Sequence, residues 1–90
     1  MHTMKELLKP KVAVIGCGYW GKNIIRTLHD IGNLFGVCDF DSELAQNFSK
    51  QFSVNCLTIS DIKSSGDIDA VCIATPAETH KDLALDLLDS

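Results

Sequence analysis

Lys11-Val12-Ala13-Val14-Ile15-Gly16-Cys17-Gly18-Tyr19-Trp20-Gly21 is a short apolar run that ends in glycines spaced G-x-G-x-x-G. A helical pattern follows at once, with Ile24, Ile25, Leu28 and Ile31. The stretch reads as a strand, a tight turn and a helix N-terminus, the arrangement that holds a dinucleotide pyrophosphate. Gly16 permits the turn out of the strand. Gly18 carries no Cβ, so phosphates can approach the backbone. Gly21 lets the helix pack closely on the strand. The opening N–H groups and the positive end of the helix dipole then face the anion.

Alone the glycine spacing is a weak signal, and the context strengthens it. A second apolar run, Leu34 to Cys38, ends in Asp39, 18 residues after Gly21. That is close to the spacing of about 20 residues expected for an acid that binds the adenosine ribose. An aspartate there accepts from ribose hydroxyls and repels the extra phosphate of NADP. Phe40, Asp41 and Ser42 supply no cation for that phosphate, so NAD is the expected cofactor. The simpler alternative is a glycine turn with Asp39 merely opening the next helix. The order strand, turn, helix, strand, acid weighs against it.

Composition sets bounds on the rest. The chain has 90 residues, 46% hydrophobic and 22% charged, as in a globular domain. The net charge of −4 and scattered basic residues argue against a nucleic-acid partner. No apolar stretch approaches the roughly 20 residues of a membrane span, and residues 1–11 show no secretory signal. Cys17, Cys38, Cys56 and Cys72 contain no C-x-x-C spacing and suggest neither a metal site nor a redox pair. Cys38 and Cys72 would lie two strands apart, roughly 9–10 Å, too far for a disulfide. Reduced thiols and a cytoplasmic location are expected. Cys17 alone, in the phosphate loop, leaves a redox role open.

Strands and helices alternate along the chain. Residues 1–10 read as a frayed lead-in, and residues 11–90 as one cofactor-binding domain. Strands are expected near Lys11 to Ile15, Leu34 to Cys38, Val54 to Leu57 and Ala70 to Ala74. Helices are expected over Tyr19 to Ile31, Ser42 to Phe52, Ser60 to Ser65, and from Ala77 or Glu78 to the last residue. Gly32 ends the first helix, and Asp41 caps the second. The last helix should turn Ala84, Leu87 and Leu88 inward. The expected fold is α/β: a partial Rossmann fold with a parallel sheet ordered 3-2-1-4, truncated before a fifth strand. The fourth strand is continuously apolar, as if buried on both faces, yet that order places it at an open edge. The chain is therefore expected to be a fragment, and to fold marginally or self-associate as a homo-oligomer.

The fourth strand runs into Ile73-Ala74-Thr75-Pro76-Ala77-Glu78-Thr79-His80. With Val14-Ile15-Gly16-Cys17-Gly18-Tyr19-Trp20-Gly21-Lys22-Asn23, this resembles the glucose–fructose oxidoreductase/inositol dehydrogenase family, Gfo/Idh/MocA. The family pattern is an N-terminal glycine motif, an acid after the second strand and A-T-P-x-x-x-H after the fourth. The resemblance covers Lys11 to about Asp89. A narrower likeness, carried by Gly18 to Asn23, is to UDP-N-acetylglucosamine 3-dehydrogenases. The resemblance implies that Gly16, Gly18 and Gly21 line the pyrophosphate, with main-chain N–H groups from Tyr19 and Trp20. It implies that Asp39 holds the adenosine ribose and that Thr75 and Pro76 wall the nicotinamide-side ribose. His80 would sit below that wall. Many members carry Asn where this chain has Ala77, so any side-chain contact from that position is missing.

The residues themselves leave alternatives open. Thr75 and Pro76 also suit an ordinary strand-to-helix turn. His80 reads equally as a hydrogen-bonded structural histidine. Packing is the default for Trp20. His2 and His29 have no constellation. The family's catalytic lysine lies in an E-K-P motif that the resemblance places beyond Ser90, so no catalytic residue is assigned here. The implied activity is NAD-dependent oxidation of a secondary alcohol in a sugar or nucleotide sugar. The rival is an NAD(H)-binding regulatory module that never catalyses.

Overall fold

The computed structural model describes residues 10–75 and 77–88, with only the backbone of residues 19 and 77–81. Residues 1–9 of the lead-in expected over 1–10, Pro76 and the side chains of Tyr19 and His80 lie outside the described residues. Strands are β1 (Val12–Ile15), β2 (Leu34–Cys38), β3 (Asn55–Cys56) and β4 (Ala70–Ile73). Helices are α1 (Tyr19–Asp30), α2 (Ser42–Phe52), α3 (Ile59–Ser64) and α4 (Ala77–Leu88). The sheet is parallel with order β3-β2-β1-β4. Consecutive parallel strands need crossovers, and the helices supply them. No described helix is long and apolar enough to cross a membrane.

β1 is central and fully buried over Ala13, Val14 and Ile15. Its side chains alternate, so the sheet has two cores. Val14 joins Cys17, Ile25 and Val37 beneath α1 and α2. Ala13 and Ile15 join Cys38, Ile62 and Leu83 beneath α3 and α4. Ile15 pairs with Cys38 on one side and Ile73 on the other, so three strands end level. The turns that follow these ends therefore converge.

Local chemistry explains the boundaries. Asp41 caps α2 as expected, accepting from Leu44 N–H at 3.2 Å. α1 ends at Ile31, where Gly32 takes φ +79 and donates to the His29 carbonyl. α3 starts one residue earlier than expected. Thr58 and Asp61 form a reciprocal capping box there, at 3.0 and 2.9 Å. The T-x-x-D pattern was the available signal, with Asp in the place of the usual Glu or Gln. β3 is shorter than the Val54–Leu57 run. Both of its residues are exposed at the sheet edge.

The open edge expected of β4 is present, and one burial expectation, in α4, fails. Ala70 and Val71 of β4 are exposed, and Cys72 and Ile73 only half-buried. The edge position outweighs the apolar sequence. In α4, Leu83 is buried while Leu88 is 80% exposed, so the inward stripe is Leu83 and Leu87 with a half-buried Ala84. Leu83 and Leu87 stand four apart on one face, whereas Leu88 is rotated about 100° further.

Candidate functional site: the cleft at the strand ends

Gly16 leaves β1 with φ +103, a region a side chain rarely enters. A Cβ there would also lie 2.8 Å from the Ala74 carbonyl carbon. The turn is thus wedged against the end of β4. Gly21 sits in the first turn of α1, and a Cβ on it would overlap the Gly16 carbonyl. Gly18 differs from both. A Cβ at Gly18 would meet nothing within 4 Å. Two glycines are required by the protein's own packing, and the third faces space.

Gly18 is also the N-cap of α1, and no side chain caps that helix end. α2 and α3 have side-chain caps and an acid in the first turn, and α1 has neither. Its positive end is left for an anion.

Asp39 follows β2 and reaches back across the sheet end. Its Oδ2 accepts from Cys17 N–H at 2.7 Å, and its Oδ1 from Asp41 N–H at 2.8 Å. The Cys38 carbonyl accepts from Gly16 N–H at 2.7 Å. Cys17 Sγ lies 3.7 Å from the same carbonyl. Burial, then the Asp39 charge, push the Cys17 thiol up to about 12 and the Cys38 thiol to about 11. Both stay protonated at neutral pH. That removes the thiolate a redox role for Cys17 would need.

A cleft of about 330 Å³ opens here, lined by Gly16, Gly18, Trp20, Asp39, Phe40, Ala74 and Thr75. Thr75 Oγ1 is buried there and has no hydrogen-bond partner among the described residues. Such groups are rare in folded proteins and point to an absent ligand or water. Trp20 is 70% exposed and lines both this cleft and a groove along α1 with Asn23, Ile24, Thr27 and Leu28. Phe40, 71% exposed, was missed as a lining residue. It and Asp39 also line a second cavity of about 350 Å³, with Ser42, Gln46 and Thr58. An aromatic directly after the acid was the signal for it. Among the described residues, neither cavity is lined by Lys or Arg. A larger cavity of about 460 Å³ lies apart from the glycine turn, between α3, β4 and α4, and is mainly apolar.

A parallel doubly wound sheet with a glycine turn at the switch point between β1 and β4 defines a dinucleotide-binding Rossmann domain. The chain belongs to the Gfo/Idh/MocA oxidoreductase family: the model of its NAD-binding Rossmann fold matches residues 10–90. D-apiose dehydrogenase of Paraburkholderia graminis is 32% identical over 85 residues, 90% of this chain and 23% of its own. The 2,7-anhydro-N-acetylneuraminate hydratase of Escherichia coli is 30% identical over 70 residues, 77% of this chain and 19% of its own. Among solved structures, myo-inositol dehydrogenase of Lactobacillus casei, in complex with NAD(H) and myo-inositol, superposes with TM-score 0.80 at 28% identity. That match covers 92% of this chain and 26% of the other. UDP-N-acetylglucosamine 3-dehydrogenase of Acidithiobacillus ferrooxidans gives TM-score 0.79 at 26% identity, covering 88% and 25%. The chain therefore spans about a fifth to a quarter of the length of the proteins it matches.

Proposed function

We propose that residues 11–90 are the cofactor-binding part of an NAD-dependent dehydrogenase acting on a secondary alcohol of a sugar or nucleotide sugar. The observation that carries this reading is the unpartnered Thr75 hydroxyl, buried across one cleft from an uncapped glycine turn and an acid. The polar groups present fit a dinucleotide. Gly16, Gly18 and Gly21, with the backbone of Tyr19 and Trp20, take the pyrophosphate. Asp39 takes the adenosine ribose, and Thr75 the nicotinamide-side ribose; Pro76 and His80 are given to that side by the family resemblance alone. NAD when bound supplies the hydride acceptor. The proton of the alcohol goes to the family's lysine, which the resemblance places beyond Ser90. The sugar classes follow the names of the dehydrogenase relatives. Four free thiols accord with a reducing compartment, the cytoplasm.

NAD rather than NADP fits because Asp39 lines the cleft and, among the described residues, no cation lines either neighbouring cavity. The test is calorimetric titration of the full-length protein with both cofactors. NAD should bind more tightly, and Asp39→Ala should weaken it by about 1.5–3 kcal/mol, the worth of a hydrogen bond to a charged group. Tighter NADP binding would overturn the assignment. Polyols, aldoses and UDP-sugars are then tried as substrates, with NADH absorbance and product mass both recorded. A mass change without net NADH would point to hydratase-like chemistry, the activity in the name of the E. coli relative. NAD binding with no turnover on any of them favours the regulatory module.

A further inference from the structure

We propose that Asp39 is also a positioning residue: its carboxylate holds the glycine turn in the shape that accepts phosphate. This rests on the dinucleotide reading of the cleft. It goes beyond that reading by giving the acid a second task, on ligands whose ribose offers it no hydroxyl.

Cys17 stands between the first two glycines of the motif, and its N–H is held by Asp39 Oδ2 at 2.7 Å. The preceding amide, Gly16 N–H, is held by the Cys38 carbonyl at 2.7 Å. Both anchors come from the end of β2, 22 residues along the chain. With these two amides fixed, Gly18 stands open to the cleft. The second carboxylate oxygen accepts from Asp41 N–H at 2.8 Å, and Asp41 in turn caps α2. One side chain thus ties the turn before α1 to the start of α2.

The lone-pair count allows both tasks. A carboxylate offers about four acceptor positions, and the backbone uses two of them. The others remain for ribose hydroxyls. An amide in its place offers one acceptor oxygen and an NH₂ group. In Asp39→Asn, either Cys17 N–H or Asp41 N–H would then face a donor. Bonds to an ionised acceptor are the short, strong kind, so the replacement weakens whichever remains. The turn loses its anchor while the size of the side chain is kept.

The test uses the full-length protein and a pair of probes, ADP and 2′,3′-dideoxy-ADP. The second keeps both phosphates and the adenine but has no hydroxyl for Asp39 to read. Asp39→Asn should weaken ADP, and should also weaken dideoxy-ADP by about tenfold. Unchanged dideoxy-ADP binding beside weakened ADP would overturn the positioning role and leave the ribose role standing. No binding of ADP or NAD by the wild type would overturn the dinucleotide reading, and this proposal with it. A second measurement needs no variant and no ligand. The Cys17 amide of the wild type should exchange slowly with deuterium, although it lies in a turn. In Asp39→Asn it should exchange faster, while the Gly16 amide stays protected by the Cys38 carbonyl. Fast exchange at Cys17 in the wild type would show that the carboxylate does not hold it.

Discussion

On one side of the cleft Gly16, Cys17, Cys38, Asp39 and Asp41 are joined by three hydrogen bonds of 2.7 to 2.8 Å. On the other wall the Thr75 hydroxyl is buried without a partner among the described residues, and Val71 of the adjoining strand is exposed. The glycine turn of the first wall is held before any ligand arrives, so under the proposed reading a phosphate entering there would meet backbone already in place. The second carries a desolvated hydroxyl, which costs stability until something bonds to it. The contrast separates residues that make the fold from residues that wait for a ligand. Each experiment below asks whether that line falls where the geometry puts it.

The sharpest break is between two glycines of one motif. Gly21→Ala places a methyl into the Gly16 carbonyl, which is backbone and has Ala74 behind it. The expected cost is about 3 kcal/mol or more, beyond ordinary overpacking because the obstacle cannot rotate away. Gly18→Val should cost only about 1 kcal/mol, the scale of a poorer N-cap. It should instead abolish NAD binding by filling the open space over the turn. Denaturant melts and cofactor titration separate the two. Equal stability loss in both variants would erase the distinction between packing glycine and ligand glycine.

A second test concerns pH and belongs to the finished wall. The fold raises the thiols of Cys17 and Cys38 from 9.0 to about 12 and about 11, mainly by burial. In the unfolded chain they ionise near 9, so above that pH the unfolded state releases protons the folded state keeps. The stability they contribute is complete below about pH 9 and is lost as pH rises towards 12. The loss is on the order of a few kcal/mol, since one unit corresponds to about 1.36 kcal/mol. Urea midpoints from about pH 8 to 11 should fall, and Cys17→Ala with Cys38→Ala should flatten the slope. An unchanged slope in the double variant would assign the alkaline loss to other groups.

The helix beside the unfinished wall gives a third comparison. Leu83→Ala should cost about 2 kcal/mol, towards the low end for a core leucine because some exposure remains. Leu88→Ala should stay within about 0.5 kcal/mol, as at a surface site. A large loss at Leu88 would restore the inward stripe read from the sequence.

What the sequence made legible follows chain distance. The glycine spacing, the Asp41 cap and the alternation of elements are local patterns, and the sheet order follows from them with right-handed crossovers. Asp39 stood out by its spacing from Gly21. Its bond to Cys17 N–H did not, because only the closed sheet brings residues 22 apart together. Gly36 was silent for the same reason. A Cβ there would lie 2.6 Å from Leu57 Cδ1 and 2.9 Å from the Asn55 carbonyl oxygen, contacts made across two strands. In β4 the apolar run reports what the strand can bury, while the edge position, already implied by the strand order, decides what it does bury.

The smallest effect lies at Thr75 and decides whether the second wall is incomplete by design of its ligand. Thr75→Val keeps the shape of the side chain and removes the orphaned oxygen. If that oxygen has no partner in the free protein, its loss relieves a desolvation cost, and the variant should melt higher by about 1 kcal/mol. If the same oxygen bonds the cofactor, NAD should bind about fivefold more weakly, the worth of one neutral hydrogen bond. The two effects have opposite signs, so a general disturbance of the loop cannot imitate the pair. Thermal melts with and without saturating NAD read both at once. The variant should gain stability alone and lose part of the increment that NAD gives the wild type. A variant that is less stable without ligand would show that Thr75 is bonded within the free protein, and the two walls would then be alike.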